Sequence, residues 1–207
     1  MSPSRVAIFI SGRGSNMVAL LDAMAAPEFP AEPALVLSNE GDAGGLAVAE
    51  ARGVATAVVD HRAYPDRQSF EIEIHARLRS AKADLVCLAG FMRLLSPWLI
   101  EKWPGAILNI HPALLPSFRG LHTHERALEA GVTLHGCTVH VVTPDLDAGP
   151  ILGQAAVPVL PDDGAASLAA RVLAAEHRLY AACLKAFITG AAAHAGASAQ
   201  IINPSAD

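Results

Sequence analysis

Short apolar runs alternate with segments of helical periodicity along the first half of the chain. The runs are aliphatic and rich in β-branched residues, which is typical of strands buried on both faces of a sheet. The strand candidates are residues 6–10, 35–38, 55–59, 85–89 and 107–110. The helix candidates between them are residues 16–25, 45–52, 67–79 and 97–103. This alternation predicts βαβ units, and therefore an α/β fold with a doubly wound, mostly parallel sheet.

The pattern changes after the fifth strand candidate, where prolines and glycines mark a long loop. A short helix is predicted at about residues 124–130. Residues 137–142 and 152–157 then form two strand candidates joined by a turn-rich segment, and such a pair should be antiparallel and lie at the sheet edge. Apolar residues at spacings of three and four predict a closing helix over about Ala165–Ile188, with one stripe facing the core.

The length of 207 residues favours one large domain. We expect a single domain over residues 1–190, with a first half of about 1–105 and a second half of about 106–190, followed by a flexible tail over 191–207. Hydrophobic residues make up 52% of the chain and charged residues 17%, which is enough for a packed core and excludes a disordered protein.

The charge and the cysteine content indicate which binding partners and which cellular location to expect. The 15 basic and 20 acidic side chains give a formal charge of −5, which argues against a nucleic-acid-binding protein. The longest uncharged apolar stretch, around residues 85–92, is far shorter than the roughly 20 residues of a membrane-spanning helix. Three widely spaced cysteines predict reduced, buried thiols, and no targeting segment is visible, so we expect a cytoplasmic protein. The sequence does not determine the oligomeric state, which is expected to be either a monomer or a homodimer.

A glycine-rich loop, SGRGSN at residues 11–16, follows the first strand candidate and opens the first helix. Helix N-terminal N–H groups and glycines that admit close approach favour a bound phosphate, with Ser15 and Asn16 as donors. A dinucleotide fingerprint would need a third glycine where Met17 stands, and a Walker loop would need Gly-Lys before Ser or Thr. A glycine-rich turn with a capping serine is the alternative interpretation.

Asn109 and His111 lie at the carboxyl end of the fifth strand candidate, where ligands bind in open α/β sheets. Strand alternation sends both side chains to one side, and an amide donor beside an imidazole can stabilise an oxyanion and move a proton. The alternative for His111 is a structural histidine at a strand end. Asp147, between the two late strands, is either a turn former before Gly-Pro or a carboxylate that orients His111.

Several other features have two interpretations. The segment 91–97, with its large apolar side chains, is either core packing or the wall of a slot for a flat ring. His122 and His124 resemble a metal pair but have no third ligand at a suitable spacing, so no metal site is predicted. The charges of residues 71–79 are interpreted as a solvated helix face. The histidines interpreted as surface or loop residues are His61, His75, His135 and His194.

Ordered motifs also extend over residues 6–188. They include SGRGSN at 11–16, LAGFMRLLSP at 88–97, NIHPALLP at 109–116, GLHTH at 120–124, DLDAGP at 145–150 and EH at 176–177. Together they resemble the phosphoribosylglycinamide formyltransferases, folate-dependent formyl transfer enzymes of purine biosynthesis. The resemblance implies a Rossmann-like formyltransferase fold, 10-formyltetrahydrofolate as co-substrate, glycinamide ribonucleotide as acceptor, and no metal.

The resemblance implies roles for single positions. Asn109, His111 and Asp147 match the family's catalytic residues. The positions implied to hold the substrate phosphate and ribose are Gly14, Ser15, Asn16, Leu173 (through its backbone) and Glu176. The positions implied to bind folate are Arg67, Met92, Arg93, Leu94, Leu95, Asn109, Thr143, Pro144, Asp145, Leu146 and Asp147.

Two positions depart from the family pattern. Ala113 stands where serine is common, and Ala181 follows Tyr180 where proline is common, so we expect effects on local geometry only.

Among similar enzymes, a formyltetrahydrofolate deformylase is expected to have a preceding regulatory domain and a methionyl-tRNA formyltransferase a further RNA-binding domain. A non-catalytic nucleotide-binding module would have no use for the catalytic trio, and a dehydrogenase would bind nicotinamide.

Overall fold

The computed structural model describes residues 2–191, and these form two compact units that divide between Asn109 and Ile110. The predicted tail over 191–207 lies, apart from Ala191, outside the described residues.

The N-terminal unit is a parallel sheet with helices in its connections. Its strands are β1 (Ser4–Ile10), β2 (Ala31–Ser38), β3 (Thr56–Val58), β4 (Leu85–Leu88) and the first part of β5 (Ile107–His111). Its helices are α1 (Ser15–Met24), α2 (Gly44–Ala51), α3 (Arg67–Ser80) and α4 (Pro97–Lys102), with a short 3-10 helix over His61–Ala63. Strand β1 pairs in parallel with β2 and β4, β2 with β3, and β4 with β5. The apolar residues of β1 and β4 are buried, as expected for inner strands of a parallel sheet.

The C-terminal unit continues from the end of β5. It contains α5 (Thr123–Glu129), β6 (Leu134–Val141), β7 (Ile151–Pro158) and α6 (Ala165–Ile188). Strands β6 and β7 are antiparallel, and α6 packs against both with buried residues at spacings of three and four. The strand order of the sheet is β3-β2-β1-β4-β5-β6-β7.

The predicted fold class is confirmed, including the antiparallel pair at the end of the strand order and the closing helix. Strand β2 differs most from its prediction, because it begins at Ala31 and therefore includes Pro33. Proline has no N–H to donate to a strand ladder. The register between β1 and β2 shifts directly after the pair Val6–Pro33, and this irregularity accommodates the proline inside the strand.

Two predictions of exposure are wrong. His135, expected on the surface or in a loop, lies in β6 with 1% of its surface exposed, because this part of the strand is buried on both faces. Glu71, expected on a solvated helix face, is fully buried on α3. Its carboxylate accepts hydrogen bonds from the backbone N–H of Ser96, at 2.6 Å, and from the Ser96 hydroxyl. A buried carboxylate needs such donors.

The other histidines of that prediction lie in mixed surroundings. His75 is partly buried on α3, and its Nδ1 accepts a hydrogen bond from the indole N–H of Trp103 at 3.1 Å. His61 is partly exposed in the 3-10 helix. His194 lies outside the described residues.

All three cysteines carry free, buried thiols, as predicted. Burial raises the pKa of the Cys183 thiol to about 12. None of the helices within residues 2–191 combines the length and the apolar character needed to cross a bilayer.

Candidate active site

The glycine-rich loop turns β1 into α1 and leaves the start of that helix without a side-chain cap. Gly14 is the N-cap and adopts φ 70°, a left-handed conformation that glycine adopts without strain. An α-helix leaves its first N–H groups without intrahelical partners, and the N-cap glycine has no side-chain oxygen to accept from them. The first turn of α1 therefore offers donors and a positive dipole end to an anion.

Gly45, the second residue of α2, packs beneath this loop. Its N–H donates to the carbonyl of Gly12 at 3.0 Å. A Cβ at position 45 would lie 2.6 Å from Ile10 Cδ1, 3.1 Å from the Gly12 carbonyl oxygen and 3.2 Å from that of Arg13. A side chain at residue 45 would therefore require Ile10 and the two loop carbonyls to shift. This role was not predicted, because Gly45 looked like an ordinary helix start in the sequence.

The apolar loop, residues 91–95, follows β4 and presents bulky side chains to solvent. Phe91 packs against Phe9 with a ring separation of 5.2 Å, but Met92 and Leu94 are 69% and 61% exposed. Adjacent exposed apolar side chains are typical of ligand-binding surfaces. The register of β4 and β5 places Leu88 opposite Asn109, so the carboxamide lies beside the strand from which the apolar loop emerges.

In the C-terminal unit, His111 and Asp147 come together from segments 36 positions apart. The distance from His111 Nδ1 to Asp147 Oδ2 is 3.4 Å, and both side chains are more than nine-tenths buried. His111 Nε2 donates to the carbonyl of Phe118 at 3.0 Å. The imidazole therefore faces a carboxylate on one side and a carbonyl oxygen on the other. Both neighbours are hydrogen-bond acceptors.

Asp147 is held by groups besides His111. Its Oδ2 accepts from the backbone N–H of Gly120 at 2.9 Å, and its Oδ1 lies 3.7 Å from His140 Nε2. His140 Nδ1 donates to the carbonyl of Val141, and burial lowers the pKa of His140. The place of His140 beside Asp147 was not predicted from the sequence.

The backbone around this pair adopts several left-handed conformations. Phe118, His122 and Asp147 have φ values of 54°, 57° and 47°, and Gly120 has φ 79°. Non-glycine residues in this region are uncommon and cluster at functional sites. Two of these residues supply the Phe118 carbonyl and the Gly120 N–H that hold the pair. The unusual backbone thus serves the placement of His111 and Asp147.

Two further histidines lie close enough to His111 to interact with it electrostatically. His124 and His135 contact each other edge to face at 5.2 Å, and His135 also packs on Phe118 at 5.9 Å. Burial lowers the pKa of His124 and lowers that of His135 to about 4. Neutral rings are therefore expected near pH 7. Within residues 2–191, no cluster of three or more His, Cys, Asp or Glu residues has a metal-binding arrangement.

Comparison with known proteins identifies the family. The sequence profile described as formyl transferase matches residues 4–184. The chain is 41% identical over 185 residues to the phosphoribosylglycinamide formyltransferase of Escherichia coli, which covers 89% of this chain and 87% of that enzyme. This chain belongs to the formyl transferase family, among the phosphoribosylglycinamide formyltransferases. The resemblance predicted from the motifs is confirmed.

Two other relatives agree with this family membership. The crystal structure of phosphoribosylglycinamide formyltransferase from Brucella melitensis is 57% identical, with a TM-score of 0.88 over 91% of this chain and 97% of that one. The human trifunctional purine biosynthetic protein adenosine-3 is 48% identical over 187 residues, which is 90% of this chain and 18% of the human protein. The chain spans less than a fifth of the trifunctional relatives that it matches.

The remaining positions implied by the formyl transferase resemblance are distributed over both units. On α6, Glu176 is buried and Leu173 is partly buried. Arg67 is exposed at the first residue of α3, and Arg93 and Leu95 are partly exposed in the apolar loop. In the turn between β6 and β7, Thr143 is partly exposed, while Pro144, Asp145 and Leu146 are exposed. Their binding roles stay predictions.

Gly149 is a second glycine of this formyl transferase whose role depends on close packing. A Cβ at this position would lie 1.8 Å from the carbonyl oxygen of Val141 and 3.1 Å from Thr143 Cγ2. Only glycine permits this approach of the two ends of the β6–β7 turn. Gly149 therefore fixes the turn that carries Asp147, which gives the Asp-Ala-Gly-Pro motif a physical reason.

Proposed function

We propose that this chain transfers the formyl group of 10-formyltetrahydrofolate to the primary amine of glycinamide ribonucleotide in de novo purine biosynthesis. The observation that carries the proposal is the likeness, along nearly the whole chain, to proteins named phosphoribosylglycinamide formyltransferase. The buried pairing of His111 with Asp147 supports it, because formyl transfer needs a charged donor for an oxyanion and a route for a proton.

In the proposed reaction, the amine nitrogen attacks the formyl carbon and the carbonyl electron pair moves to oxygen. The tetrahedral intermediate then loses its bond to N10 of the folate, and N10 receives the proton that the amine gives up. The products are the formylated ribonucleotide and tetrahydrofolate. Holding both reactants side by side supplies a large part of the rate enhancement.

The residues proposed to act on the intermediate are Asn109, His111 and Asp147. The Asn109 amide would donate a hydrogen bond to the developing oxyanion, and the positive charge of a protonated His111 would stabilise it. Because His111 lies between two acceptors, the Asp147 carboxylate and the Phe118 carbonyl, these surroundings match an imidazolium with two N–H donors. Asp147 would also assist transfer of the amine proton to N10.

The other proposed contacts bind the two substrates. The first turn of α1, with Gly14, Ser15 and Asn16, would hold the phosphate, and Glu176 with the backbone of Leu173 would bind the ribose. The apolar loop, Arg67 and residues 143–147 would contact the folate. Exposed Met92 and Leu94 suit an apolar ring, and exposed Arg67 suits a carboxylate tail.

We further propose the setting of the reaction. The substrates are small molecules, and neither a metal nor a nucleic acid nor a membrane takes part. The enzyme acts in the cytoplasm as a monomer or homodimer, and residues 1–190 act as one catalytic domain. The net negative charge supports the proposal that no nucleic acid takes part, and the free, buried thiols support the cytoplasmic setting.

The test is incubation with 10-formyltetrahydrofolate in the presence and absence of glycinamide ribonucleotide. We expect tetrahydrofolate to form only when the ribonucleotide is present, in a one-to-one ratio with formylated ribonucleotide. Release of formate at the same rate without the ribonucleotide would contradict the proposal and favour a hydrolase. The proposal would also be contradicted if the dialysed protein catalysed neither formyl transfer nor release of formate.

A further inference from the structure

The hydroxyl of Ser11 connects the glycine-rich loop to the apolar loop. Its Oγ accepts a hydrogen bond from the backbone N–H of Met92 at 2.8 Å and donates to Asn39 Oδ1 at 2.5 Å. The backbone N–H of Ser11 donates to the carbonyl of Gly90 at 3.1 Å. Residue 11 therefore joins the loops that follow β1 and β4, with a further connection to the residue that follows β2.

This connection continues the pairing of β1 and β4 beyond the strands. The N–H of Ala89 donates to the carbonyl of Phe9 at 2.8 Å, and the N–H of Ser11 to that of Gly90. At Met92, the acceptor is the Ser11 side chain in place of a backbone carbonyl. A hydroxyl can accept and donate at once, and Ser11 uses both capacities.

The far end of the apolar loop has its own anchor. The buried carboxylate of Glu71 accepts from the N–H and the hydroxyl of Ser96, the N-cap residue of α4. The exposed side chains of Met92 and Leu94 lie between the two anchors. Of these anchors, Ser11 alone belongs to the loop proposed to bind phosphate.

We infer that Ser11 is a positioning residue that couples phosphate binding at the glycine-rich loop to the placement of the folate-binding apolar loop. The inference rests on the proposed function. A phosphate held by the first turn of α1 restrains residues 11–16, and the Ser11 hydroxyl carries that restraint to the main chain of Met92. Each substrate should then strengthen the binding of the other by the same factor, as thermodynamic linkage requires.

The test measures this factor by calorimetry. Glycinamide ribonucleotide is titrated into the protein with and without saturating tetrahydrofolate, which has no formyl group to transfer. For the wild-type protein we expect the ribonucleotide Kd to be at least about fivefold lower with tetrahydrofolate present. For Ser11→Ala we expect a ratio within about twofold of one, whereas Ser11→Thr, which keeps the hydroxyl, retains the wild-type ratio.

Ser38→Ala is the matched control. The Ser38 hydroxyl donates to the carbonyl of Glu40 and accepts from its N–H, so this variant loses two partly buried hydrogen bonds near Asn39 without touching the apolar loop. We expect it to lower stability and to keep the wild-type ratio. A merely structural role for Ser11 would give both alanine variants the same ratio.

The outcomes separate this inference from the function on which it rests. A wild-type protein that binds neither ligand contradicts both. If the wild-type protein binds both ligands with a ratio of one, only the coupling is wrong. The inference is also overturned if Ser11→Ala keeps the wild-type ratio, or if Ser38→Ala loses it equally.

Discussion

Single residues around His111 show how buried polar groups are satisfied at the candidate active site. Asp147 approaches His111 at 3.4 Å, longer than a strong charge-assisted hydrogen bond, while its Oδ2 accepts a shorter bond from Gly120. Catalytic contacts are often long before substrate binds and shorten afterwards. The left-handed backbone of Asp147 fits this role, because aspartate adopts that conformation more readily than most residues.

The first prediction concerns the residues proposed to stabilise the oxyanion. Asn109→Ala and His111→Ala should each lower kcat by about 10²–10³, because each removes a group that stabilises the intermediate. Steady-state assays of formyl transfer measure this effect, and circular dichroism checks that each variant is folded. Near-normal kcat in either folded variant would reject the role assigned to that residue.

The second prediction concerns acid stability. Burial lowers the pKa of His135 from 6.5 to about 4, so the unfolded chain binds a proton that the folded chain does not. Above pH 6.5 the His135 ring is neutral in both states, and its burial costs no stability through protonation. As the pH falls from 6.5 toward 4, the free energy of unfolding should decrease by roughly 2 to 3 kcal/mol. Denaturant unfolding at several pH values should show a weaker pH dependence for His135→Gln than for wild type.

Exposed His122 provides the control for this measurement. His122→Gln should keep the pH dependence of the wild-type unfolding free energy. If His135→Gln keeps it as well, the acid sensitivity does not come from His135.

At the scale of elements, the candidate binding surfaces of the N-terminal unit are the loops at the carboxyl ends of parallel strands. Strands β1 and β4 are neighbours, and their following loops are the glycine-rich loop and the apolar loop. Helix α2 supports the first of these through Gly45, and α3 anchors the end of the second through Glu71. The helices thus position loops that they do not themselves contain.

The third prediction tests the support from α2. Gly45→Ala places a methyl group against the backbone carbonyls of Gly12 and Arg13, which must shift by a few tenths of an ångström. We expect KM for the ribonucleotide to rise by roughly tenfold, with a smaller change in KM for the folate. Gly44→Ala is the matched control, because a Cβ there meets no atom within 4 Å. Equal kinetics for the two variants would show that the loop tolerates the methyl group.

At the scale of the whole molecule, ligand binding and folding are linked. A ligand that binds only the folded protein stabilises it by about 2.7 kcal/mol at a concentration of 100 times Kd. We predict this stabilisation with glycinamide ribonucleotide, and predict almost none with glycinamide, which lacks the phosphate and ribose. Thermal unfolding measures both. Equal protection by the two compounds would contradict a phosphate site at α1.

The sequence predicted those parts of the structure that depend on local pattern. The α/β alternation, the approximate bounds of α6, the antiparallel pair and the glycine-rich turn into α1 all follow from patterns within short segments. The strand candidate began at residue 35, whereas β2 begins at Ala31 and includes Pro33, which disfavours a strand locally. Its accommodation depends on the register of a neighbouring strand, which the pattern does not contain.

Other features were decided by tertiary structure, because they depend on how distant segments approach. The sequence named His111 and Asp147 as candidates, but their 3.4 Å separation depends on the path of the chain between them. The burial of Glu71 required a donor 25 positions away in Ser96. Sequence periodicity determines which face of an element is apolar, whereas packing determines which polar group meets which, since partners far apart in sequence leave no periodic signal.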